Sequence, residues 1–310
     1  MECYELVSAI ITTHKREPEL VLRAVQSILD QTYQNLEIIV VDDSPTTFLS
    51  REKVAEKLND IKDKRFKYIQ HEINQGACVA RNTGIDASAG NYVAFLDDDD
   101  VWHKDKIEKQ VQKFLQGEYG LVYCNAYEIN EIKGTKKVMG QKFYRGYIFA
   151  KLLEQNFIGS TSFPLIKKQC LNECGGFDET LQASQDYDLW LRIAEKHAVE
   201  YIDEPLVDYY IHEGDAISKD SLKTIQGAEV INKKYQGFLS KNPKILSKKY
   251  SYLAIYYLRE GLTKISFSHY IKSIKLSPFD FKMHIKFLVH CVLRLVYLFR
   301  RNNQNGQIHT

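Results

Sequence analysis

The stretch Tyr92-Val-Ala-Phe-Leu-Asp-Asp-Asp-Asp-Val-Trp102 runs from an apolar segment directly into four consecutive aspartates, Asp97 to Asp100. Carboxylates this close oppose each other's ionisation, so a buried strand that ends in them needs a compensating positive charge. A divalent cation such as Mg²⁺ or Mn²⁺ supplies it, because these ions prefer oxygen ligands and bridge carboxylates to phosphates. Side chains two apart on an extended segment point the same way, so Asp97 and Asp99 are expected to face one ion. The alternative is a solvated acidic loop tip.

Length and composition are those of an ordinary globular protein. The 310 residues are 44% hydrophobic and 26% charged, which suits one large α/β domain with an appendage. A net charge of +2 provides no strong field for nucleic acid, so no such partner is expected. The cysteines form no CxxC pair and the N-terminus lacks an apolar signal segment, which together favour a reducing cytoplasm. No apolar stretch reaches the length of a membrane-spanning helix.

Short apolar runs alternate with helical patterns through the first hundred residues. Strands are predicted at 7–13, 36–41, 66–70 and 92–96, and helices at 20–31, 51–63 and 78–88. This alternation predicts an α/β fold with a doubly wound, mostly parallel central sheet. Ligands of such sheets bind beyond the carboxyl ends of the strands. Polar clusters follow three strands there, at 12–14, 42–43 and 97–100, and they predict one shared site.

After about residue 120 the pattern becomes less regular. A strand is predicted at 121–127, a helix at 145–155, a loop at 157–163 that enters another strand, and a helix capped by Ser184. Strand character resumes at 201–203 and 206–211, on either side of Pro205. Beyond about residue 218 the chain is helical. We therefore predict a catalytic domain over 1–218, with a nucleotide-binding half to about 118 and an acceptor half from 119. A helical C-terminal region is predicted over 219–310.

The C-terminal region contains a basic segment with an apolar face. No acidic residue follows Asp280, whereas five basic residues do: Lys282, Lys286, Arg294, Arg300 and Arg301. The apolar residues between them are too few and too interrupted by charge to span a bilayer. Such a helix is typical of attachment to an anionic membrane surface, so peripheral association with the inner face of the plasma membrane is expected. The alternative is an ordinary helix docked on the catalytic domain.

Several motifs, taken together and in order, resemble glycosyltransferase family 2, whose members are inverting enzymes of the GT-A fold. They include Val7-Ser-Ala-Ile-Ile-Thr-Thr-His-Lys-Arg16, Asn74-Gln-Gly-Ala-Cys-Val-Ala-Arg-Asn-Thr-Gly84 and Ser184-Gln-Asp-Tyr-Asp-Leu-Trp-Leu-Arg192, and the resemblance covers roughly residues 5 to 218. It implies a GT-A domain with a C-terminal helical extension, a nucleotide-sugar donor that is UDP-linked, and a divalent metal, Mn²⁺ or Mg²⁺. The implied acceptor is a glycan or lipid-linked saccharide, in bacterial surface-polysaccharide synthesis.

The same resemblance assigns the residues after the first two strands to the nucleotide. It implies that Asp43 accepts a hydrogen bond from a base N–H. Thr12, His14 and Arg16 are implied to bind the donor as well. His14 stands where the family usually has a Tyr that stacks on the base, and Lys15 stands where it has Asn. Asp42, next to Asp43, is expected to hold the loop. The alternative for the pair is to cap the following helix.

The four aspartates correspond, by resemblance, to the DxD motif of the family. Asp97 and Asp98 are then donor contacts, and Asp97 and Asp99 hold the metal, with the register left open by one residue. The ion bridges the diphosphate and assists departure of the nucleoside diphosphate. Arg81 is implied to lie near the nucleotide and to offset the acidic cluster, with a surface ion pair as its alternative. The resemblance also implies that His212 closes the metal or diphosphate site, with a structural role as its alternative.

Asp186 is the candidate general base. An inverting transfer is a single displacement, so a carboxylate must take the proton of the acceptor hydroxyl opposite the leaving group. The family commonly has Glu where this chain has Gln185. The alternative is that Asp186 and Asp188 complement the positive end of a helix dipole. Trp190 and Arg192 are expected to be a core residue and a partner in a structural ion pair.

Two other classes of protein stay open at this point. One is a non-catalytic nucleotide-sugar or glycan-binding module of the same fold, which the departures at Gln185 and His14 favour. The other is a nucleotidyltransferase that uses the same aspartate-bound metal. It is disfavoured because the chain has no glycine-rich phosphate loop.

Overall fold

The computed structural model describes residues 5–140, 142–211 and 221–306, with side chains as far as residue 296. These residues form two compact units, which lie before and after residue 213, except that Gln182–Ser184 groups with the second. The predicted metal-site residue His212 lies outside the described residues.

The first unit begins with the predicted alternation of strands and helices. In order these are β1 (Val7–Thr13), α1 (Pro18–Leu29), β2 (Leu36–Asp42), α2 (Arg51–Asn59), β3 (Phe66–Gln70), α3 (Ala77–Ala87) and β4 (Tyr92–Asp97). The less regular part follows as β5 (Val101–Trp102), α4 (Lys106–Phe114), β6 (Leu121–Asn130), β7 (Thr135–Val138), α5 (Phe149–Glu154), β8 (Leu165–Lys167), α6 (Lys168–Cys174), α7 (Gln185–Lys196) and β9 (Val199–Tyr210).

Elements α4, α6, β5 and β7 have no counterpart in the sequence prediction, and two predicted elements are altered at a glycine and at a proline. The helix predicted at 145–155 is only the six residues of α5, because Gly146 has a φ of +84° and pairs with Val199 as an isolated bridge. The strand segments predicted on either side of Pro205 join in β9. Its pairing with β6 shifts register near Pro205, which is consistent with a proline having no N–H to donate.

The strands form one nine-stranded sheet of order β3-β2-β1-β4-β8-β6-β9-β5, with β7 paired to β6. The β3-β2-β1-β4 part is parallel throughout, as the alternation predicts. The other part mixes directions, because β8 is antiparallel to both β4 and β6, whereas β6 and β9 are parallel. The α/β fold is confirmed, and its parallel half is the half that carries the polar strand ends.

The centre of the sheet is buried on both faces. Val7, Ala9, Ile10 and Ile11 of β1 are all fully buried. Helix α3 packs so closely on this strand that a Cβ atom on Gly84 would lie 2.4 Å from Cγ2 of Ile10. Gly84 therefore serves close packing of the helix against the sheet.

The second unit consists of helices. These are α8 (Ser221–Lys234), α9 (Gln236–Ser240), α10 (Pro243–Arg259), α11 (Thr263–Leu276) and α12 (Phe281–Gly306). Ala254, Ile255 and Leu258 of α10 form a small core with Phe287 of α12. No helix in the described part of the chain is both long enough and apolar enough to cross a membrane.

Candidate active site

The register of the parallel strands brings the three predicted polar clusters to one edge of the sheet. Thr12 of β1 lies opposite Asp97 of β4, and Thr13 lies opposite Asp42 of β2. Because β1 is central, the residues that follow it lie between the residues that follow β2 and β4. The predicted clusters therefore come together as one group.

Asp43 is a buried carboxylate that organises the turn after β3. Its Oδ1 accepts hydrogen bonds from the backbone N–H of Gln75 and from Nδ1 of His71, each at 2.8 Å. Its Oδ2 accepts from Nδ2 of Asn74 at 2.9 Å and from the N–H of Gly76 at 2.8 Å. A carboxylate offers about four lone-pair positions, so protein donors fill all of them.

The preceding residue, Asp42, is also buried and holds the loop between β2 and α2. It accepts from the N–H of Ser44 at 2.9 Å, from the hydroxyl of Tyr68 at 2.8 Å and from Gln70 at 3.3 Å. Helix α2 instead begins after Ser50. The alternative in which an aspartate of this pair caps that helix is therefore wrong.

Residues 14–16 form a tight bend above Asp43. His14 is exposed, and its Nδ1 lies 3.0 Å from the carbonyl oxygen of Asp43. Lys15 has a φ of +54°, in the left-handed region that Asn tolerates better than Lys. The backbone explains why Asn suits this position in the family that the sequence resembles.

Burial alternates along the aspartate run. The side chains of Asp97 and Asp99 are 31% and 17% exposed, whereas Asp98 and Asp100 are buried. Asp98 accepts from Thr13 at 2.7 Å and from Nε of Arg16 at 2.9 Å. Burial nevertheless raises the pKa of Asp98 to about 6. Strand β4 ends at Asp97, however, and Asp98 and Asp99 lie in a turn that the N–H of Asp100 closes on the carbonyl of Asp97 at 3.0 Å. The turn, and not the extended segment that the sequence predicts, therefore separates the two more accessible carboxylates from the two buried ones.

Asp100 faces the interior. Its Oδ2 accepts from the hydroxyl of Ser162 at 2.6 Å, and its Oδ1 from the N–H of Tyr210 at 3.1 Å. Burial, together with the charge of Asp97, raises the pKa of Asp100 well above its ordinary value. Asp100 therefore fastens the loop to strand β9 and supports its neighbours from beneath.

A hydroxyl-rich loop holds Asp97 from the other side. Ser160 donates to Oδ2 at 3.0 Å and Thr161 to Oδ1 at 2.8 Å, while the N–H of Asp97 donates to Ser162 at 3.1 Å. The sequence predicts only a loop for this segment, 157–163. Its one signal is the run of hydroxyl residues after Gly159, which lies more than sixty positions from the aspartates it contacts.

Arg81 joins the aspartate run to helix α7. Its Nη2 donates to Oδ1 of Asp97 at 3.3 Å, and its Nη1 donates to Oε1 of Gln185 at 3.1 Å. The side chain of Arg81 is only 13% exposed, so the alternative of a surface ion pair is wrong. The guanidinium of Arg81 therefore contacts both the last residue of β4 and the first residue of α7.

Asp186 follows Gln185 in the first turn of α7. One of its oxygens accepts from the N–H of Tyr187 at 2.7 Å. Burial raises the pKa of Asp186 to about 6, with the charge of Asp97 adding to the rise and that of Arg81 opposing it. Asp188 in the same turn is fully buried and pairs with Arg192 at 2.8 Å. The two acids thus have different surroundings.

The remaining residues of α7 have structural contacts. Trp190 is fully buried and its Nε1 donates to the carbonyl of Gly159 at 3.2 Å. Arg192 pairs with Asp188 and also donates to the carbonyl of Gly176 at 2.7 Å. Trp190 is therefore a core residue and Arg192 a partner in a structural ion pair, as the sequence predicts.

The two partly exposed carboxylates of the aspartate run have the chemistry that a hard divalent cation needs. In phosphate-binding sites Mg²⁺ is held by one or two carboxylates, and substrate phosphates and water complete its coordination. Asp97 and Asp99 fit that requirement. Within the residues that the structure describes, no group of three or more His, Cys, Asp or Glu side chains is arranged to hold an ion.

The chain is similar to known proteins along most of its length. The family profile described as Glycosyl transferase family 2 matches residues 8–175. The chain is 33% identical over 200 residues to the UDP-Glc:alpha-D-GlcNAc-diphosphoundecaprenol beta-1,3-glucosyltransferase WfgD of Escherichia coli, covering 64% of this chain and 73% of that one. It is 29% identical over 276 residues to WfaP of Escherichia coli, which has the same description, covering 86% and 97%.

Two further comparisons concern length and fold. The chain is 32% identical over 202 residues to a longer glycosyltransferase of Rickettsia felis and spans only 32% of its length. A crystal structure of S. aureus TarS 1–349 in complex with UDP-GlcNAc matches with a TM-score of 0.57, covering 86% of this chain and 88% of that one. At 16% identity this likeness shows the fold alone. The predicted GT-A fold is confirmed.

Proposed function

The chain belongs to glycosyltransferase family 2, and from this premise we propose that it is an inverting enzyme with a nucleotide-diphosphate sugar donor. The sugar passes to a hydroxyl of a lipid-linked glycan. The observation that carries the proposal is the bridge made by Arg81. It connects Asp97, on the donor side, with Gln185, the neighbour of the candidate base Asp186.

The base of the donor binds at the turn that Asp43 organises. Asn74 is exposed, and its side-chain amide donates to Asp43 at 2.9 Å, as the N–H of a uracil would. We propose that the base N–H takes this acceptor position and displaces the amide. His14, exposed beside it, offers an imidazole face for stacking. A UDP-linked donor satisfies both contacts.

The diphosphate binds between the ends of β1 and β4. Asp97 and Asp99 would hold the divalent metal, Mn²⁺ or Mg²⁺, which when bound neutralises charge on the departing nucleoside diphosphate. Thr12 lies beside Asp97 and lines the donor site. Arg16 pairs with both Asp98 and Asp99, at 2.9 and 2.5 Å. Its positive charge offsets the negative charge of the buried Asp98. His212 is still predicted to contribute to the metal or diphosphate site.

Asp186 accepts the proton of the acceptor hydroxyl. As the oxygen of that hydroxyl forms its bond to the anomeric carbon, the bond from that carbon to the β-phosphate oxygen breaks and its electron pair leaves with the nucleoside diphosphate. The proton moves to the Asp186 carboxylate, and the anomeric centre inverts. With a pKa of about 6, Asp186 is ionised at neutral pH and more basic than an ordinary aspartate, which suits a general base.

The acceptor and the donor sugar are proposed from the relatives. WfgD and WfaP are described as UDP-glucose enzymes acting on GlcNAc-diphosphoundecaprenol. We propose an acceptor of the same class, a saccharide on a polyprenyl diphosphate, in the assembly of a cell-surface polysaccharide. UDP-glucose is the first donor to test.

The second unit supports a peripheral position on the cytoplasmic membrane face. Residues 221–296 contain 14 Lys and Arg against three Asp and Glu. On α12, exposed Phe281, Ile285, Leu288 and Val292 recur at helical spacing, and Lys282 and Lys286 lie along one side of this apolar stripe. Apolar side chains enter the interface of a bilayer, while flanking lysines meet anionic headgroups. We propose that this stripe contacts the lipid surface.

The test of the function is release of nucleoside diphosphate. Purified protein is incubated with UDP-glucose and with GlcNAc on a short-chain polyprenyl diphosphate, with Mn²⁺, with Mg²⁺ or with a chelator. UDP release that depends on acceptor and metal is expected. Pyrophosphate in place of UDP would support a nucleotidyltransferase. Binding of UDP-sugar without release, for all donors and metals tried, would support the non-catalytic module.

A further inference from the structure

His71 is a buried residue that the sequence analysis did not single out. It follows β3 directly, is 8% exposed, and all its polar groups have partners. Its N–H donates to the carbonyl of Asp42 at 2.9 Å, and its carbonyl accepts from Nη2 of Arg51 at 2.5 Å. Its ring nitrogens lie 2.8 Å from Oδ1 of Asp43 and 3.0 Å from Oγ1 of Thr83. The ring is therefore held at both ends.

The two partners of this ring belong to different parts of the candidate site. Asp43 belongs to the turn proposed to bind the base. Thr83 lies on α3, two positions after Arg81, which reaches Asp97. The imidazole of His71 is thus a direct link between the turn at the end of β2 and the helix that carries the diphosphate-side arginine.

The chemistry of the partners fixes one hydrogen bond of the ring. Asp43 accepts from Gln75, Asn74 and Gly76, and a carboxylate of this kind only accepts, so Nδ1 must carry the proton that it shares with Asp43. The hydroxyl of Thr83 can donate or accept, so it can hold Nε2 in either case. The ring then orients Oδ1 of Asp43. The other carboxylate oxygen, Oδ2, accepts hydrogen bonds from Asn74 and Gly76.

We propose that His71 is a positioning residue for donor binding, which is held by Thr83, donates from Nδ1 to Asp43 and orients that carboxylate toward the base. The proposal rests on the proposed function, because it assigns His71 to the donor site of that enzyme. It predicts that weakening the link lowers affinity for the nucleotide and leaves the displacement step unchanged. The reacting groups at Asp97 and Asp186 do not contact His71 in the hydrogen bonds described above.

The test compares three variants that differ by single atoms or groups. Thr83→Val removes the hydroxyl with little change of shape, and Thr83→Ser keeps it. Ser88→Ala removes another buried hydroxyl, one that bonds to Ile85 at the end of the same helix, and serves as the control for a general effect on α3. For each protein, the UDP dissociation constant is measured by calorimetry, and KM for UDP-glucose and kcat are measured separately.

Loss of one partly buried hydrogen bond predicts that Thr83→Val raises the UDP dissociation constant and KM about three- to tenfold, with kcat within about twofold of wild type. Thr83→Ser and Ser88→Ala are expected to stay near the wild-type affinity. The proposal is overturned if Thr83→Val binds UDP as tightly as Ser88→Ala does, or if only its kcat falls. Failure of the wild type itself to bind UDP would instead overturn the proposed function.

A second measurement tests the two ring contacts without a large change in the fold. Nitrogen-15 NMR of the histidine rings, assigned with His71→Gln, should show a proton on Nδ1 of His71. In Thr83→Val the Nε2 shift should move, because that nitrogen loses its hydrogen-bond partner. A ring with a proton on Nε2 alone, or an Nε2 shift that Thr83→Val leaves unchanged, would contradict the proposal.

Discussion

The two parts of this chain carry opposite charge. Residues 1–220 contain 26 Lys and Arg against 37 Asp and Glu, whereas residues 221–296 contain 14 against three. In the first part, the charges at the candidate site are held by short hydrogen bonds in buried surroundings, as at Asp43, Asp98 and Asp100. In the second, lysines flank exposed apolar side chains on α12. The contrast separates two uses of charge, because fixed charges can direct a reaction whereas exposed charges attract a surface.

The largest effect that would sharpen this contrast is expected at Asp186. Replacement by Asn keeps the shape but cannot accept the proton, so kcat should fall by about 10²–10⁴. The same change should stabilise the fold. The pKa of Asp186 in the folded protein, about 6, lies above its ordinary 3.8, so the ionised form costs stability once the pH exceeds that range. Its removal should add about 1–3 kcal/mol to the free energy of unfolding at pH 7.5.

Both quantities are measured on the same preparation, by UDP release and by urea unfolding. Asp203→Asn, which neutralises an exposed acid in the same unit, is the matched control and should leave both values near wild type. Transfer at the wild-type rate by Asp186→Asn would remove Asp186 from the mechanism and leave the acidic unit without a candidate base.

The pH profile tests the same carboxylate without a mutation. Since the base must be ionised, kcat at saturating donor should fall about tenfold per unit below a pKa of about 6 and be level between pH 7 and 8. Steady-state rates between pH 4.5 and 8.5, with stability checked at each pH, supply the profile. If kcat stays level down to pH 4.5, the general base is either a carboxylate with an ordinary pKa or not a carboxylate at all. Either result would contradict a base with a pKa of about 6.

A change on the apolar stripe of α12 should move binding to membranes but not the reaction. Leu288→Glu with Val292→Glu places two anions in the stripe, and its affinity for vesicles containing phosphatidylglycerol should fall at least about tenfold. Transfer to a short-chain acceptor in detergent should stay within about twofold. Leu115→Glu, at an exposed leucine of the first unit, is the control. Equal vesicle binding by all three proteins would show that the stripe does not contact lipid.

The smallest expected effect concerns backbone strain beside the donor site. Lys15 has a φ of +54°, and a non-glycine residue in this region costs about 1 kcal/mol, less for Asn. Lys15→Asn should therefore raise the free energy of unfolding by a few tenths to about 1 kcal/mol, as judged from urea midpoints. Lys15→Val should lower it, since β-branched residues tolerate this conformation poorly. The opposite order of the two variants would contradict the strain argument.

The sequence predicts the parallel half of the sheet and its site because both depend on local patterns. Apolar runs of strand length place the polar clusters at strand ends, and Asp97 is the last residue of β4. The different exposure of Asp97 and Asp99 from that of Asp98 and Asp100 arises in the turn that follows, which the alternation of an extended chain does not describe. The acceptor half is less predictable, because β8 has only three residues and no detectable period. Contacts of His71 and Ser160 were missed for another reason. Their partners Asp43 and Asp97 lie 28 and 63 positions away, and pairing over such distances has no local signal.

The configuration of the transferred sugar tests the central claim most directly. With UDP-α-glucose and the short-chain lipid-linked acceptor, the product is isolated and the anomeric proton of its new linkage is assigned by NMR, while UDP is quantified in the same reaction. A β-linkage with one UDP released for each product is the predicted result, and it should be lost in Asp186→Asn. An α-linkage, or a product formed without release of UDP, would contradict a single inverting displacement at this site.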